Sequence, residues 1–314
     1  MASVVDLGWG IHVLDTAFQR DEMAACYVLR QGEDVCIIET GTKDTVPLIL
    51  DFLETESISR EQVKYVAVTH VHLDHAGGAG LLMDALPNAK LVVHPLGARH
   101  MIDPAKLQAG ATAVYGEAEF KRTYGDLQPI DESRIIIADD EFKIQLGGRA
   151  LTFIDTPGHA RHHFCIYDDA SGGFFTGDTF GLAYQELSNQ NGPFIFPTTT
   201  PVQFDPDALK ASITRLMTYK PERMFLTHFG MVIKPDGLAK RLISQVDDLV
   251  EMALAHKTLD SSTRVGAINH DLMAYLLSGL KQHGCELPES EQRRILASDV
   301  MLNAQGLDVW LSRL

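Results

Sequence analysis

The sequence predicts an α/β (α+β) fold over residues 1–236, followed by a helical extension over residues 237–314. Short β-branched and aromatic runs, such as 63–68, alternate with segments whose apolar residues recur at helical spacing, such as 44–56. Four of the strand-like runs lead directly to a histidine or an aspartate, and α/β proteins commonly bind ligands at the carboxyl ends of their strands. Residues 237–314 carry only helical patterns.

The remaining elements can be assigned in chain order from the same patterns. The predicted strands are 11–15, 24–30, 35–39, 63–68, 90–94, 134–137, 142–146, 151–154 and 223–227. The predicted helices are 44–56, 79–86, 205–218, 238–256, 268–283 and 290–305, with one or two short helices within 104–126. We expect the strands at 134–137, 142–146 and 151–154 to belong to the second of two sheets.

The strongest chemical signal is the segment Thr69-His70-Val71-His72-Leu73-Asp74-His75, which follows the strand at 63–68. His70 and His72 are two residues apart, so in extended chain their side chains point the same way. Asp74 and His75 lie further along the turn and can face a second point. Imidazole and carboxylate groups suit zinc, iron or manganese, so this spacing predicts two metal positions roughly 3.5–4 Å apart.

Three further donors follow later strand-like runs. His159 comes after 151–157, Asp178 ends the run that begins at Phe174, and His228 ends the run that begins at Met224. A histidine-rich turn that only caps a helix would not require these additional donors.

The ordered motifs HxHxDH, Gly-His, Gly-Asp and Thr-His resemble the metallo-β-lactamase superfamily, nearest its glyoxalase II-like hydrolases, over residues 13–233. The resemblance implies an αββα sandwich with two divalent metal ions (zinc, iron or mixed) at one edge. It implies that one ion is held by His70, His72 and His159, the other by Asp74, His75 and His228, and that Asp178 is shared by both.

Two other residues are expected to support the ligands rather than to bind the ions. Glu39 stands where the family usually has an aspartate that holds a ligand histidine, and its longer side chain could do the same or could only close a turn. His163 matches a second histidine of the family pattern. His162 replaces the usual glycine before it, and the sequence assigns His162 no role.

Composition limits the partners. The chain has 27 basic and 42 acidic residues and a formal charge of −15, which argues against nucleic acid and favours a small-molecule substrate. Its four cysteines are scattered, which is typical of reduced thiols. Neither a signal-peptide pattern nor an apolar run of about 20 residues is found. Because the cysteines are scattered and neither a signal peptide nor a membrane-spanning run is found, we expect a cytoplasmic protein that does not enter a membrane.

Aromatic residues near the predicted ligands are candidates for the wall of a substrate pocket, although an aromatic loop can equally be a local plug. These candidates are Phe180, Tyr184, Phe194, Phe196 and Phe229. The helices of residues 237–314 each carry an apolar stripe that must be buried. We expect them to cover the sandwich, to roof the active site or to form a homodimer contact.

These observations predict a binuclear metal-dependent hydrolase that directs a metal-bridging hydroxide at a small ester, with a thioester favoured over a lactone or a phosphoester. Asp74 is expected to act as a catalytic residue that also manages a proton as the tetrahedral intermediate collapses. The resemblance also implies two alternatives on the same scaffold, an iron-dependent sulfur dioxygenase and a diiron protein that binds oxygen or nitric oxide. A third alternative is a non-enzymatic, metal-stabilised interaction protein.

Overall fold

The computed structural model describes residues 3–314, apart from the side chains of residues 114 and 115. In that part of the chain, the first sheet has seven strands that lie in chain order. They are β1 (Val4–Gly8), β2 (Ile11–Asp15), β3 (Ala25–Gln31), β4 (Asp34–Ile38), β5 (Val63–Ala67), β6 (Lys90–Val93) and β7 (Ile135–Ile137). Strands β1 to β4 form an antiparallel meander, and β4 to β7 are parallel.

The second sheet has six strands in the order β13-β12-β11-β10-β9-β8 within the same described residues. They are β8 (Phe142–Leu146), β9 (Arg149–Asp155), β10 (Phe164–Asp168), β11 (Gly173–Phe175), β12 (Arg223–Leu226) and β13 (Gly230–Ile233). Only β11 and β12 pair in parallel in this sheet. Aromatic side chains such as Tyr27, Phe153 and Phe225 fill the space between the two sheets.

Helices cover the outer faces of both sheets and complete an αββα sandwich. Those of the first half are α1 (Thr45–Thr55), α2 (Leu73–Ala76), α3 (Ala79–Ala85), α4 (Pro95–Ile102), α5 (Ala105–Tyr115) and α6 (Glu117–Thr123). Those of the second half are α7 (Pro206–Thr218), α8 (Pro235–Ala255), α9 (Ser261–His283) and α10 (Glu289–Leu311). No helix in residues 3–314 is long and apolar enough to cross a membrane.

The three C-terminal helices pack on the second sheet. Leu242, Leu272 and Leu307 are buried in the same hydrophobic cluster as Phe174 and Leu226 of that sheet. Their apolar stripes are thus covered within one chain. Residue 237 lies in the first turn of α8, and the expected division into a catalytic domain and an extension stays a prediction.

The structure confirms the predicted α/β class and most of the elements, and it corrects one placement. The strand predicted at 134–137 pairs with β6 in the first sheet and not with β8. It follows α4 to α6, and a crossover through helices is what brings two strands side by side in parallel. Pro95 follows β6 and begins α4, whose first turn is capped by the side chain of His94.

Candidate metal centre

The predicted donors meet at one edge of the sandwich because each follows the end of a strand. His70 and His72 follow β5, and His72 is the cap residue from which α2 begins. Asp74 and His75 lie in the first turn of α2. The other three donors, His159, Asp178 and His228, follow β9, β11 and β12.

The donor atoms fall into two groups, and within each group they all lie within 4.8 Å of one another. One group consists of His70, His72, His159 and Asp178. The other consists of Asp74, His75 and His228. The structure thus brings all seven predicted residues together at one edge of the sandwich. That they bind metal ions stays a prediction.

Asp178 faces both groups with different oxygen atoms. Its Oδ2 lies 3.3 Å from Nε2 of His159, whereas its Oδ1 lies 3.3 Å from Nε2 of His75 and 3.5 Å from Nε2 of His228. Ligand atoms about 2.0–2.1 Å from a tetrahedral zinc ion are separated by roughly 3.3–3.4 Å. The spacing therefore suits one ion on each side of the carboxylate.

Several atoms that would bind the ions have no hydrogen-bond partner in the protein although they are buried. They include Nε2 of His70, Nε2 of His75 and Oδ1 of Asp178. Native proteins rarely leave such atoms unsatisfied unless a water, an ion or a ligand completes the site. The residues present therefore fit bound metal ions.

The nitrogen atoms that face away from the centre are held by other groups. Nδ1 of His75 donates to Glu39, Nδ1 of His228 donates to the carbonyl of Met23 at 2.7 Å, and Nδ1 of His70 contacts the hydroxyl of Thr69 at 3.1 Å. Each contact orients its ring so that Nε2 points inward. This is how metal-binding histidines are usually fixed.

Burial and neighbouring charges set the protonation of the donors. Burial, together with the nearby His75, holds the pKa of His70 well below its usual range. Burial and His159 lower the pKa of His72 to about 3. Burial opposes ionisation of Asp178, but His75 and His159 outweigh it and hold the pKa of this carboxyl well below its ordinary value. Neutral imidazoles and an ionised carboxylate are the forms that bind metal ions, and His70, His72 and Asp178 already have them. Burial lowers the pKa of His75, but Asp74 and Asp178 outweigh it and raise this pKa well above its usual range, so His75 must release a proton to bind a metal ion.

His163 holds the loop that carries Asp178. The backbone N–H of Asp178 donates to Nε2 of His163 at 3.2 Å, and Nδ1 of His163 contacts the hydroxyls of Thr156 and Thr179 at 2.9 and 3.2 Å. This placement suits the expected supporting role.

His162, to which the sequence gave no role, packs beside the first donor group. Its ring is nearly parallel to that of His70, with 6.2 Å between the centroids, and it accepts a long hydrogen bond from the backbone of Val71. The only feature of the sequence that could have placed His162 near the donors is that residues 159–163 contain three histidines.

The five aromatic candidates for a substrate wall are all buried. Tyr184 lies beside His228, with 6.5 Å between the ring centroids, whereas Phe180 and Phe196 are fully enclosed in the cluster shared with the C-terminal helices. Phe194 lies in the same cluster, with its ring tilted against that of Phe196 at 6.1 Å between the centroids. Phe229 packs between the sheets. Their role in substrate binding stays a prediction.

The C-terminal helices hold the segment that follows Asp178, here called the 179–200 segment. Gln245 of α8 donates to the carbonyl of Ile195 at 3.1 Å, and Asn303 of α10 accepts from the backbone of Thr199 at 2.7 Å. The side chain of Asn191 donates to the carbonyl of His283 at the end of α9 at 2.8 Å. All three helices therefore fix this segment against the metal-centre edge.

The sequence-based prediction did not identify two residues that lie near the candidate metal centre. Asp299 of α10 accepts from the Tyr184 hydroxyl, and the guanidinium of Arg20 lies over the Tyr184 ring. Asp299 lies in a helix far along the chain and Arg20 in a loop, so no local motif links either residue to the ligands.

Comparisons with known proteins agree with this architecture. A family model described as the metallo-beta-lactamase superfamily matches residues 20–228. The metallo-beta-lactamase fold-containing protein ST1585 of Sulfurisphaera tokodaii is 29% identical over 215 residues, which cover 67% of this chain and 74% of that protein. The atrochrysone carboxyl ACP thioesterase of Aspergillus chevalieri is 25% identical over 154 residues, which cover 48% of this chain and 38% of that protein.

Among solved structures, the metallo-beta-lactamase family protein TTHA1429 from Thermus thermophilus is similar along almost the whole length. The match has a TM-score of 0.68 at 18% identity and covers 98% of this chain and 95% of that chain. The likeness in fold therefore extends to the C-terminal helices.

Proposed function

The chain belongs to the metallo-beta-lactamase superfamily, and on that premise we propose that it is a binuclear metal-dependent hydrolase of a small ester, with a thioester as the favoured substrate. The observation that carries the proposal is the position of Asp178, whose two oxygens face separate groups of donor atoms. The similarity to a relative named as a thioesterase supports the choice of thioester.

Each group of side chains has a distinct task in this proposal. His70, His72 and His159 would hold one divalent ion, Asp74, His75 and His228 would hold the other, and Asp178 would contribute one oxygen to each. Bound ions would supply a hydroxide at neutral pH and would offset the negative charge that develops on the carbonyl oxygen.

Asp74 is the donor best placed to meet the substrate. Its side chain is 26% exposed, whereas that of Asp178 is 7% exposed. One oxygen of Asp74 lies 3.4 Å from Nε2 of His228 and 3.5 Å from Nε2 of His75. We expect Asp74 to orient the attacking oxygen and to carry a proton to the leaving thiolate.

The test begins with metal content, measured by mass spectrometry on protein purified anaerobically without added metal. We expect two ions per chain. In a second measurement, we expect the protein to hydrolyse thioesters faster than lactones and phosphoesters of matched size. Two tightly bound ions with no turnover of any ester would overturn the hydrolase proposal and favour a metal-stabilised interaction protein. One iron per chain, with oxygen uptake on addition of a persulfide, would instead favour a sulfur dioxygenase.

A further inference from the structure

A groove lies between the helices α8 and α9, outside the candidate metal centre. Its volume is about 710 Å³, and small-molecule sites typically have volumes of roughly 300–1,000 Å³. The residues that line it on α8 follow one another at helical spacing and share one face of that helix. They are Arg241, Ser244, Gln245 and Asp248. Residues of α9 between 275 and 283 form the opposite wall, and Phe194 of the 179–200 segment also lines the groove.

Contacts between the walls define the shape of the groove. The Tyr275 hydroxyl of α9 donates to Oδ2 of Asp248 at 2.7 Å and so joins the two helices. Arg241 lies about two helical turns away from Asp248, or roughly 10 Å along the axis of α8. Gly279 leaves room for the Phe194 ring, since a Cβ there would lie 3.3 Å from it. The groove is therefore bridged at Asp248 and has a guanidinium about two turns away.

Buried rings separate the groove from the metal centre. Between ring centroids, Phe194 lies 6.1 Å from Phe196, Phe196 lies 6.0 Å from Tyr184, and Tyr184 lies 6.5 Å from His228. Phe196 and Tyr184 are both fully buried. None of the seven donor residues lines the groove. A molecule bound there lies outside the metal centre, so the inference does not depend on the proposed hydrolysis.

Arg241 gives the groove a positive charge at the end away from Asp248. It is exposed, and it forms no hydrogen bond or ion pair with the residues that the structure describes. The hydroxyl group of Ser244 lies one turn away on the same face of α8. A guanidinium binds phosphate or carboxylate through two parallel hydrogen bonds. This end of the groove therefore suits an anionic group.

The middle of the groove is apolar and partly aromatic. Leu276 is 1% exposed and Phe194 is 4% exposed, and the half-buried Tyr275 lines the wall beside them. The hydrogen bond to Asp248 holds the Tyr275 ring in place. A flat ring can stack on such a side chain, and stacking of a nucleic-acid base on an aromatic residue contributes about 1–3 kcal/mol.

Gln245 supplies an unused hydrogen-bond acceptor. Its side chain is 8% exposed, and its Nε2 donates to the carbonyl of Ile195 at 3.1 Å, whereas its Oε1 has no partner. Because Nε2 is engaged, the free atom of the amide is the oxygen, which can only accept. A buried oxygen of this kind is rarely left unsatisfied. A ring that carries an amine would satisfy it, and a ring with a carbonyl in the same place would be repelled.

We propose that this groove is a binding site for an adenine mononucleotide. The phosphate pairs with Arg241, the base lies against Tyr275 and Phe194, and its exocyclic amine donates to Gln245. The hydroxyl groups of Ser244 and Ser278, on opposite walls, suit the hydroxyls of the ribose. A mononucleotide combines an anionic group, a flat ring and an amine in one small molecule, which is the set of groups that the groove calls for.

The test is calorimetric titration of the metal-loaded full-length protein with AMP, IMP, adenosine and ribose 5-phosphate. IMP lacks the amine, adenosine lacks the phosphate, and ribose 5-phosphate lacks the base. We expect AMP to bind with a submillimolar Kd and each of the other three to bind at least tenfold more weakly. Undetectable binding of AMP, or binding as tight for any of the other three, would overturn the proposal.

Arg241→Ala should weaken AMP binding at least tenfold and change the binding of adenosine less than twofold. Lys240→Ala is the matched control, because Lys240 precedes Arg241 on α8, is also exposed, carries the same charge and does not line the groove. It should change AMP binding less than twofold. An equal loss in both variants would show that AMP responds only to the net charge of the protein, and would overturn the proposal.

A second variant separates the groove from the metal centre, where a phosphate could also bind. Ser278 is exposed and lines the groove, so the larger side chain in Ser278→Trp would fill it. We expect this variant to lose AMP binding and to keep the metal content of the wild type. AMP that binds Ser278→Trp as tightly as the wild type is bound elsewhere, which would overturn the proposal.

Discussion

The carboxylate of Glu39 lies 3.0 Å from Nδ1 of His75 and also accepts from the backbone and the hydroxyl of Thr69. The longer glutamate therefore makes the contact for which the resembled family usually has an aspartate. It does so from a backbone with a φ of +65°, which residues other than glycine rarely adopt. One side chain thus orients His75 and holds the segment that begins the HxHxDH motif.

Glu39→Gln should weaken the affinity for the ion that we propose binds to Asp74, His75 and His228 by about 10- to 100-fold, because His75 loses its charged hydrogen-bond acceptor. The ion held by His70, His72 and His159 should be affected less. Competition with a coloured chelator measures both affinities. Two unchanged affinities would contradict the role assigned to Glu39, and Glu39→Asp tests whether the length of the side chain matters.

Asp178→Ala should reduce the metal content from two ions per chain to less than one, with loss of all hydrolysis, because Asp178 faces both donor groups. Mass spectrometry of the dialysed protein gives the stoichiometry. The control is Asp155→Asn, which removes an ion pair with His94 outside the centre. Two ions retained in Asp178→Ala would refute the bridging position.

Burial raises the pKa of Asp299 to about 6, and it is only partly opposed by His228 and by the Tyr184 hydroxyl. Since the folded state holds this proton more tightly than the unfolded state, ionisation of Asp299 destabilises the protein as the pH rises from about 4 to 6. In metal-free protein, Asp299→Asn should therefore increase the free energy of unfolding by about 2–3 kcal/mol at pH 7.5.

The gain should shrink to less than about 1 kcal/mol toward pH 4, where Asp299 is protonated in the folded state and close to half protonated in the unfolded state. Denaturant titrations in the presence of a chelator, at both pH values, give the comparison. A gain of the same size at both pH values would show that the effect does not come from ionisation of Asp299.

Gly177→Ala should destabilise the protein by about 2–4 kcal/mol and weaken metal binding. Gly177 has a φ of +48°, and a Cβ there would lie 2.5 Å from Nε2 of His163 and 2.5 Å from the hydroxyl oxygen of Thr69. Gly110→Ala is the control, since a Cβ at that helical position meets nothing within 4 Å. Thermal and chelator titrations that do not distinguish the two variants would contradict the prediction.

A chain that ends at Lys234, before α8, should be insoluble. The helices α8 to α10 share one hydrophobic cluster with the second sheet, and their removal would expose it to water. Removal of Leu314 alone, which is 79% exposed, is the control. A soluble, monomeric truncated chain with two ions would show that the sandwich folds without the helices.

The ligands could be predicted from the sequence because each follows an apolar run that ends at the same edge of a sheet. The sheet to which β7 belongs could not be predicted, because a strand pattern does not specify which strand it pairs with. β1 was missed because Val4 and Val5 are both exposed and give no alternation. Asp299 and Arg20 were missed because only the folded chain brings them to Tyr184.

The bonds from the C-terminal helices to the 179–200 segment have a consequence for how this protein can change during evolution. Substitutions at Gln245, Asn303 or the end of α9 would shift the segment beside Asp178 while every ligand side chain stays in place. We therefore expect variation in these helices to reshape this edge of the sandwich without removing any donor side chain. Libraries for directed evolution should vary α8 to α10 and leave the HxHxDH motif untouched.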